Sequence, residues 1–161
     1  MRIRHYTPSD FRSVLSLFHR SVHQGCAPYC TPAQLAAWAP APPNVIKWTT
    51  SLASGLTWVT VDDDGQMLGF VQIGRDGTLS HLYVDPDHGR RGLGAGLLRI
   101  ALTWAGEERL ASVRVVSPAS SRPFFERQGF FLAPDREGPR RYTLTPATMM
   151  LKSLLTTAPA N

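Results

Sequence analysis

At 161 residues, 43% of them apolar and four of them tryptophan, the chain can bury a real core as one domain, which excludes a disordered segment. Its formal charge of +5 comes from 17 basic against 12 acidic residues, but the basic ones, nearly all arginine, are scattered rather than striped. That argues against nucleic acid and for a small polyanionic ligand, while the lack of any apolar run near the roughly 20 residues that span a bilayer argues against a membrane.

Met1 to Tyr6 alternates and reads as a strand rather than a leader, so a cytoplasmic protein is expected. Thr7-Pro8-Ser9-Asp10 ends it and caps a helix from about Asp10, in which Val14, Leu15, Leu17, Phe18 and Val22 recur near the helical period. Gly25 to Thr31 is a loop. Thr31-Pro32 opens a second helix, with Thr as cap and Pro at the first helical position, and Pro40 to Pro43 closes it. A short helix follows from Asn44 to about Ala53. The period then shifts to strand in Thr57 to Val61, Met67 to Gly74 and Thr78 to Val84, with turn signals at Asp62 to Gly65 and Arg75-Asp76-Gly77.

After a glycine-rich loop a helix runs from Gly92 to about Gly106. Ala111 to Val116 is a short strand and Ser120 to Gln128 a helix, with Gly129 placed to end it. Phe130 to Leu132 and a strand around Met149 to Leu154 complete the pattern. The expectation is a mixed α/β fold with one central sheet, residues 1–154 forming a single domain and Leu155 to Asn161 a frayed tail.

His19, His23, Cys26 and Cys30 stand in an H-x3-H-x2-C-x3-C arrangement, which invites a zinc reading. The Cys spacing is unusual for zinc and Pro28 interrupts the helix that would align the ligands, so small buried thiols are expected instead and no metal. No disulfide is expected in a reducing compartment.

The most informative stretch is Val84-Asp85-Pro86-Asp87-His88-Gly89-Arg90-Arg91-Gly92-Leu93-Gly94. Strand, glycine loop and helix start follow one another there. The unpaired N–H groups and positive dipole end of a helix suit an anion, and glycines let a phosphate approach the backbone. A phosphate-bearing ligand is the first hypothesis. Neither a G-x-x-x-x-G-K-[ST] loop nor the acidic partner of a dinucleotide fold is present, which argues against a nucleotide-binding regulator.

Three segments together resemble the GNAT superfamily of acetyl-CoA-dependent N-acetyltransferases over essentially the whole chain. They are His81-Leu82-Tyr83-Val84-Asp85-Pro86 with Gly89-Arg90-Arg91-Gly92-Leu93-Gly94, Pro123 to Phe130 (PFFERQGF), and the strand Met149 to Lys152. Tyr29 to Pro40 (YCTPAQLAAWAP) is similar to a helix found in a bacterial group of uncharacterised acetyltransferases. The resemblance implies a mostly antiparallel sheet flanked by helices and splayed between its fourth and fifth strands, around Val84 and Val115. It implies a pantetheine arm bonded to the backbone of Leu82 and Val84. It also implies a pyrophosphate on the N–H groups of Gly89, Arg90, Arg91, Gly92, Leu93 and Gly94. The family's Gln or Arg three positions before Gly92 is Gly89 here, so one side-chain contact to the cofactor is lost.

The same resemblance implies direct transfer of acetyl from acetyl-CoA to a primary amine of a small molecule or peptide, by a monomer or homodimer, without metal. His81 stands where the family often has a Glu, and imidazole with a pKa near 6.5 accepts a proton at working pH without large tuning. A polar residue bonded to a neighbour is the competing reading. The family's usual acid, the Tyr of its FYExxGF segment, is Phe125 here and donates nothing. Tyr83, Tyr142 and Ser117 offer substitute hydroxyls, and Tyr83, Ser117 and Phe125 join the candidate cofactor-lining residues. The missing Tyr also admits a non-catalytic acyl-CoA-binding or sensing domain. The acceptor site is expected from residues 23–48, where His23, Tyr29, Trp38 and Trp48 lie, and from a hairpin near the last strands.

Overall fold

The computed structural model describes residues 1–133 and 147–154. Seven strands form one sheet in the order β1-β2-β3-β4-β5-β7-β6. The strands are β1 (Arg2–His5), β2 (Gly55–Val61), β3 (Met67–Gly74), β4 (Thr78–Val84), β5 (Ser112–Pro118), β6 (Phe131–Leu132) and β7 (Ala147–Ser153). Every neighbouring pair is antiparallel except β4 and β5, which run parallel. The helices are α1 (Phe11–Arg20), α2 (Pro32–Trp38), α3 (Val45–Ala53), α4 (Leu93–Glu107) and α5 (Arg122–Arg127). The candidate hydroxyl on Tyr142, the expected tail and the far side of the last hairpin lie outside the described residues.

The sheet separates two cores. Leu97, Leu98, Ala101 and Ala105 give α4 a buried stripe that packs on Val71, Ile73, Val113 and Val115. On the other face, Val14, Leu17, Phe18 and Val22 pack with Leu35, Trp48, Leu52 and Phe70. β2 and β3 are covered on both sides, which explains why MLGFVQIG is a nearly continuous apolar run instead of alternating. Gly69 lets α4 approach: a Cβ there would lie 2.9 Å from Leu97 Cδ1 and 3.0 Å from the Tyr83 carbonyl oxygen. The first helix departs from its expected ideal form. It passes after Arg20 into a π-helical turn, Ser21–Gly25, in which His23 still stacks on His19.

A β-bulge in β4 organises the rest. Gln72 pairs with His81, but the next residue of β3, Ile73, pairs with Leu79, so Ser80 has no partner on β3. The extra residue changes which face each side chain occupies. Leu79, Leu82 and Val84 pack in the α4 core, while Tyr83 packs in the opposite core and His81 against Trp48 and Phe70 there. Pairing of β4 with β5 stops at the same point, after Thr78 with Arg114 and Leu79 with Val115. Beyond Leu79 the two parallel strands part.

Candidate active site

The backbone of β4 beyond the bulge is half paired. In an antiparallel ladder residues alternate between exchanging hydrogen bonds with the neighbour and facing away. The Asp85 N–H donates to the Leu68 carbonyl at 2.8 Å, which sets the register. Asp85, Tyr83 and His81 therefore turn their backbone groups to β3. Leu82 and Val84 turn theirs to the gap. The Val84 carbonyl is already taken, since Ser21 Oγ donates to it at 2.8 Å. Among the described residues, the groups left for an incoming chain are both of Leu82 and the N–H of Val84.

At the mouth of this gap lies the glycine loop. Arg90 (φ +60°) and Gly92 (φ +79°) are both left-handed, and α4 begins immediately after. Gly92 is the N-cap and no side chain among the described residues caps the helix, so the first N–H groups of this 15-residue helix are open there to an anion. Arg90 and Arg91 are exposed. Gly94 faces the ring of Phe124, 3.6 Å from where its Cβ would stand, and the Val84 methyl at 3.7 Å. The loop is anchored from across the sheet. Asp85 is fully buried, accepts from the Asp87 N–H at 2.9 Å and pairs with the Arg20 guanidinium at the end of α1.

On the opposite face, His81 Nε2 lies 3.2 Å from Ser51 Oγ and its ring stacks on Trp48 with centroids 4.7 Å apart. Burial, with Lys47 adding repulsion, pushes the imidazole down to about 4. This corrects the expectation of an untuned imidazole. His81 is neutral at any working pH, because taking a charge out of water opposes protonation. Tyr83 sits on the same face, edge-on to Phe18 at 5.0 Å. Ser117 is buried on the α4 face and bonds the Pro118 carbonyl at 3.1 Å. Phe125 is 5% exposed, in the core between Phe124 and Phe130. The ring that reaches the loop is therefore Phe124.

Of the helical-region residues, Trp48 is a core anchor that also touches His81, Trp38 is half-buried on the same core, and Tyr29 is exposed. His23 stacks on His19 and bonds the Ala39 carbonyl at 2.9 Å. Cys26 and Cys30 are free, and burial pushes the Cys26 thiol up to about 11. Sequence reasoning did not single out Ser51, Gln72, Ser21 or Arg20. The signal available was the spacing of three between Leu79 and Leu82, which breaks strand period at Ser80 and marks a bulge.

The acetyltransferase (GNAT) domain family matches residues 26–144. The chain belongs to the GNAT acetyltransferase family. An uncharacterized N-acetyltransferase of Escherichia coli strain K12, YafP, is 31% identical over 130 residues, 81% of each chain. The fold superposes with a TM-score of 0.86 on a GCN5-related N-acetyltransferase structure from Rhodopseudomonas palustris, 25% identical over 95% of each chain. A second structure, the PaiA N-acetyltransferase of Thermoplasma acidophilum in complex with coenzyme A, gives a TM-score of 0.77 at 17% identity, over 94% of this chain and 98% of that one. This GNAT protein thus has the family's fold, with a mostly antiparallel sheet opened between β4 and β5.

Proposed function

We propose that the chain transfers acetyl from acetyl-CoA to a primary amine of a small molecule or peptide by direct attack. The observation that carries this reading is the opening beyond Leu79, where unpaired backbone groups of Leu82 and Val84 lead to an uncapped helix start. A pantetheine arm has two amides and pairs as a strand would. The diphosphate then falls on the N–H groups from Arg90 to Gly94, since the Gly89 N–H expected to join them already donates to the Pro86 carbonyl at 3.4 Å, and Phe124 walls the arm. The named PaiA complex with coenzyme A supports the donor assignment, and no step requires a metal.

His81 is assigned to the acceptor side, across the sheet from Leu82. An imidazole held near 4 does not extract a proton from a free ammonium ion. The amine must arrive neutral. Its nitrogen becomes cationic, and strongly acidic, once the bond to the thioester carbon forms, and a weak base then suffices. The thiolate leaves with little help, since its conjugate acid titrates near the free-thiol value of about 8.5. Loss of the family's Tyr at Phe125 is tolerable on that ground, and on the acceptor face the Tyr83 ring lies 6.1 Å from His81.

A panel of primary amines with acetyl-CoA, followed by release of free thiol, tests the reading. Thiol release that depends on one class of amine supports it. Binding of coenzyme A without thiol release from any amine would instead mark an acyl-CoA-sensing domain.

A further inference from the structure

We propose that Ser51 and Gln72 are positioning residues that hold His81 with its proton on Nε2, so that Nδ1 is the atom that accepts the proton of the incoming amine. The inference rests on the reading of His81 as the acceptor-side base.

The Ser51 carbonyl, near the end of α3, can only accept. Gln72 places an amide atom 2.7 Å from it, and this must be the Nε2 donor, because a carbonyl oxygen there would repel. The other amide atom, Oε1, is therefore fixed 3.2 Å from Ser51 Oγ. Oε1 has no proton, so the hydroxyl must donate to it. A serine has one hydroxyl proton. Facing His81 Nε2 at 3.2 Å, Ser51 Oγ can then only accept, and Nε2 must carry hydrogen. Nδ1 is left as the lone pair.

That lone pair is buried and has no hydrogen-bond partner among the described residues. An orphan acceptor of this kind calls for an explanation, and an amine that displaces the side chains over it and brings its own N–H supplies one. Trp48 covers the ring on one face and Phe70 lies 6.2 Å away, so the imidazole cannot turn freely to offer Nε2 instead. The charged and titratable groups turned to it are Lys47 of α3, which disfavours a second proton, and Tyr83 of β4. Gln72, from β3, is neutral.

In the step itself the amine lone pair forms the N–C bond and the C–S bond breaks. Its electron pair leaves on sulfur, and Nδ1 takes the proton the nitrogen sheds. The imidazolium so formed passes that proton to the thiolate or to water.

Nitrogen NMR of the full chain labelled at histidine tests this directly, because the two ring nitrogens report the tautomer without any turnover. The His81 signals are identified by their loss in His81→Ala. At pH 7 the wild type should show Nε2 protonated. Gln72→Leu releases the Ser51 proton toward Nε2, so the tautomer should shift toward Nδ1–H. Ser51→Ala should give a mixture and Ser51→Thr the wild-type pattern. Turnover, read as thiol release with the best amine of the panel, should fall at least roughly tenfold in Gln72→Leu and Ser51→Ala. The KM for acetyl-CoA should not change, and Ser51→Thr should recover the rate. A wild type protonated on Nδ1 yet dependent on His81 would overturn the tautomer assignment alone. Undiminished turnover in His81→Ala would overturn the acceptor-side reading beneath it, whatever the nitrogen signals show.

Discussion

His81 is packed against one indole face, and that packing separates two pH windows in stability. Its folded value is about 4, against about 6.5 in the unfolded chain, so between these values the unfolded state binds the extra proton. Stability therefore rises with pH from about 4 to 6.5 and is flat above. Two carboxylates act in a lower window. Asp10, hydrogen-bonded by Arg4, and Asp76, hydrogen-bonded by the Thr78 N–H, are both held at about 2, and their contributions disappear as pH falls from about 4 to 2. Urea unfolding from pH 2 to 8 should show both windows in the wild type and only the lower one in His81→Gln. In catalysis, no His81 ionisation should appear between pH 5 and 8, and kcat/KM should rise toward the acceptor's own pKa. Phe125 supplies a second test. With the ring in the core, Phe125→Tyr should cost about 1–3 kcal/mol in urea unfolding for an unpaired hydroxyl, with no gain in turnover.

The end of α1 and the start of α4 are coupled through β4. Arg20 meets Asp85, and Ser21 meets the Val84 carbonyl, so the gap and the glycine loop are set from a helix on the far face. Arg20→Ala leaves a buried carboxylate short of its charged partner. We expect a loss of about 1.5–3 kcal/mol, the range for a hydrogen bond to a charged group, and a raised KM for acetyl-CoA. Gly92→Ala should cost about 1–2 kcal/mol for a side chain at φ +79° and weaken donor binding in the same way. The loop was legible in the sequence because glycine spacing and an apolar helical period state their own geometry. The left-handed Arg90 was not, since the fold imposes that conformation on a residue that disfavours it. Thr78 to Val84 read as an unbroken strand; the spacing of three between Leu79 and Leu82 hints at the bulge, and the register against β3 fixes it at Ser80. Ser51 and Gln72 were invisible for a related reason. They are 21 residues apart and Ser51 is 30 from His81, so nothing local joins them.

At the scale of the molecule, the sheet of the described residues opens beyond Leu79, between β4 and β5, and each core lies on one side of it. The proposed function puts donor and acceptor on opposite faces, meeting through the gap. Coenzyme A at a hundredfold over its Kd should stabilise the fold by about 2.7 kcal/mol, a rise of roughly 5–10 °C in Tm for a domain of this size. ATP and NAD should give no comparable rise. Amide hydrogen exchange at single residues reads the donor's position most directly. In the free protein the N–H groups of Leu82 and Val84 should exchange fast, while those of Tyr83 and Asp85, bonded to β3, stay protected. Acetyl-CoA should slow Leu82 and Val84 strongly and leave Tyr83 and Asp85 as they were. Exchange at Leu82 and Val84 that is unchanged by saturating acetyl-CoA would contradict the placement of the donor between β4 and β5.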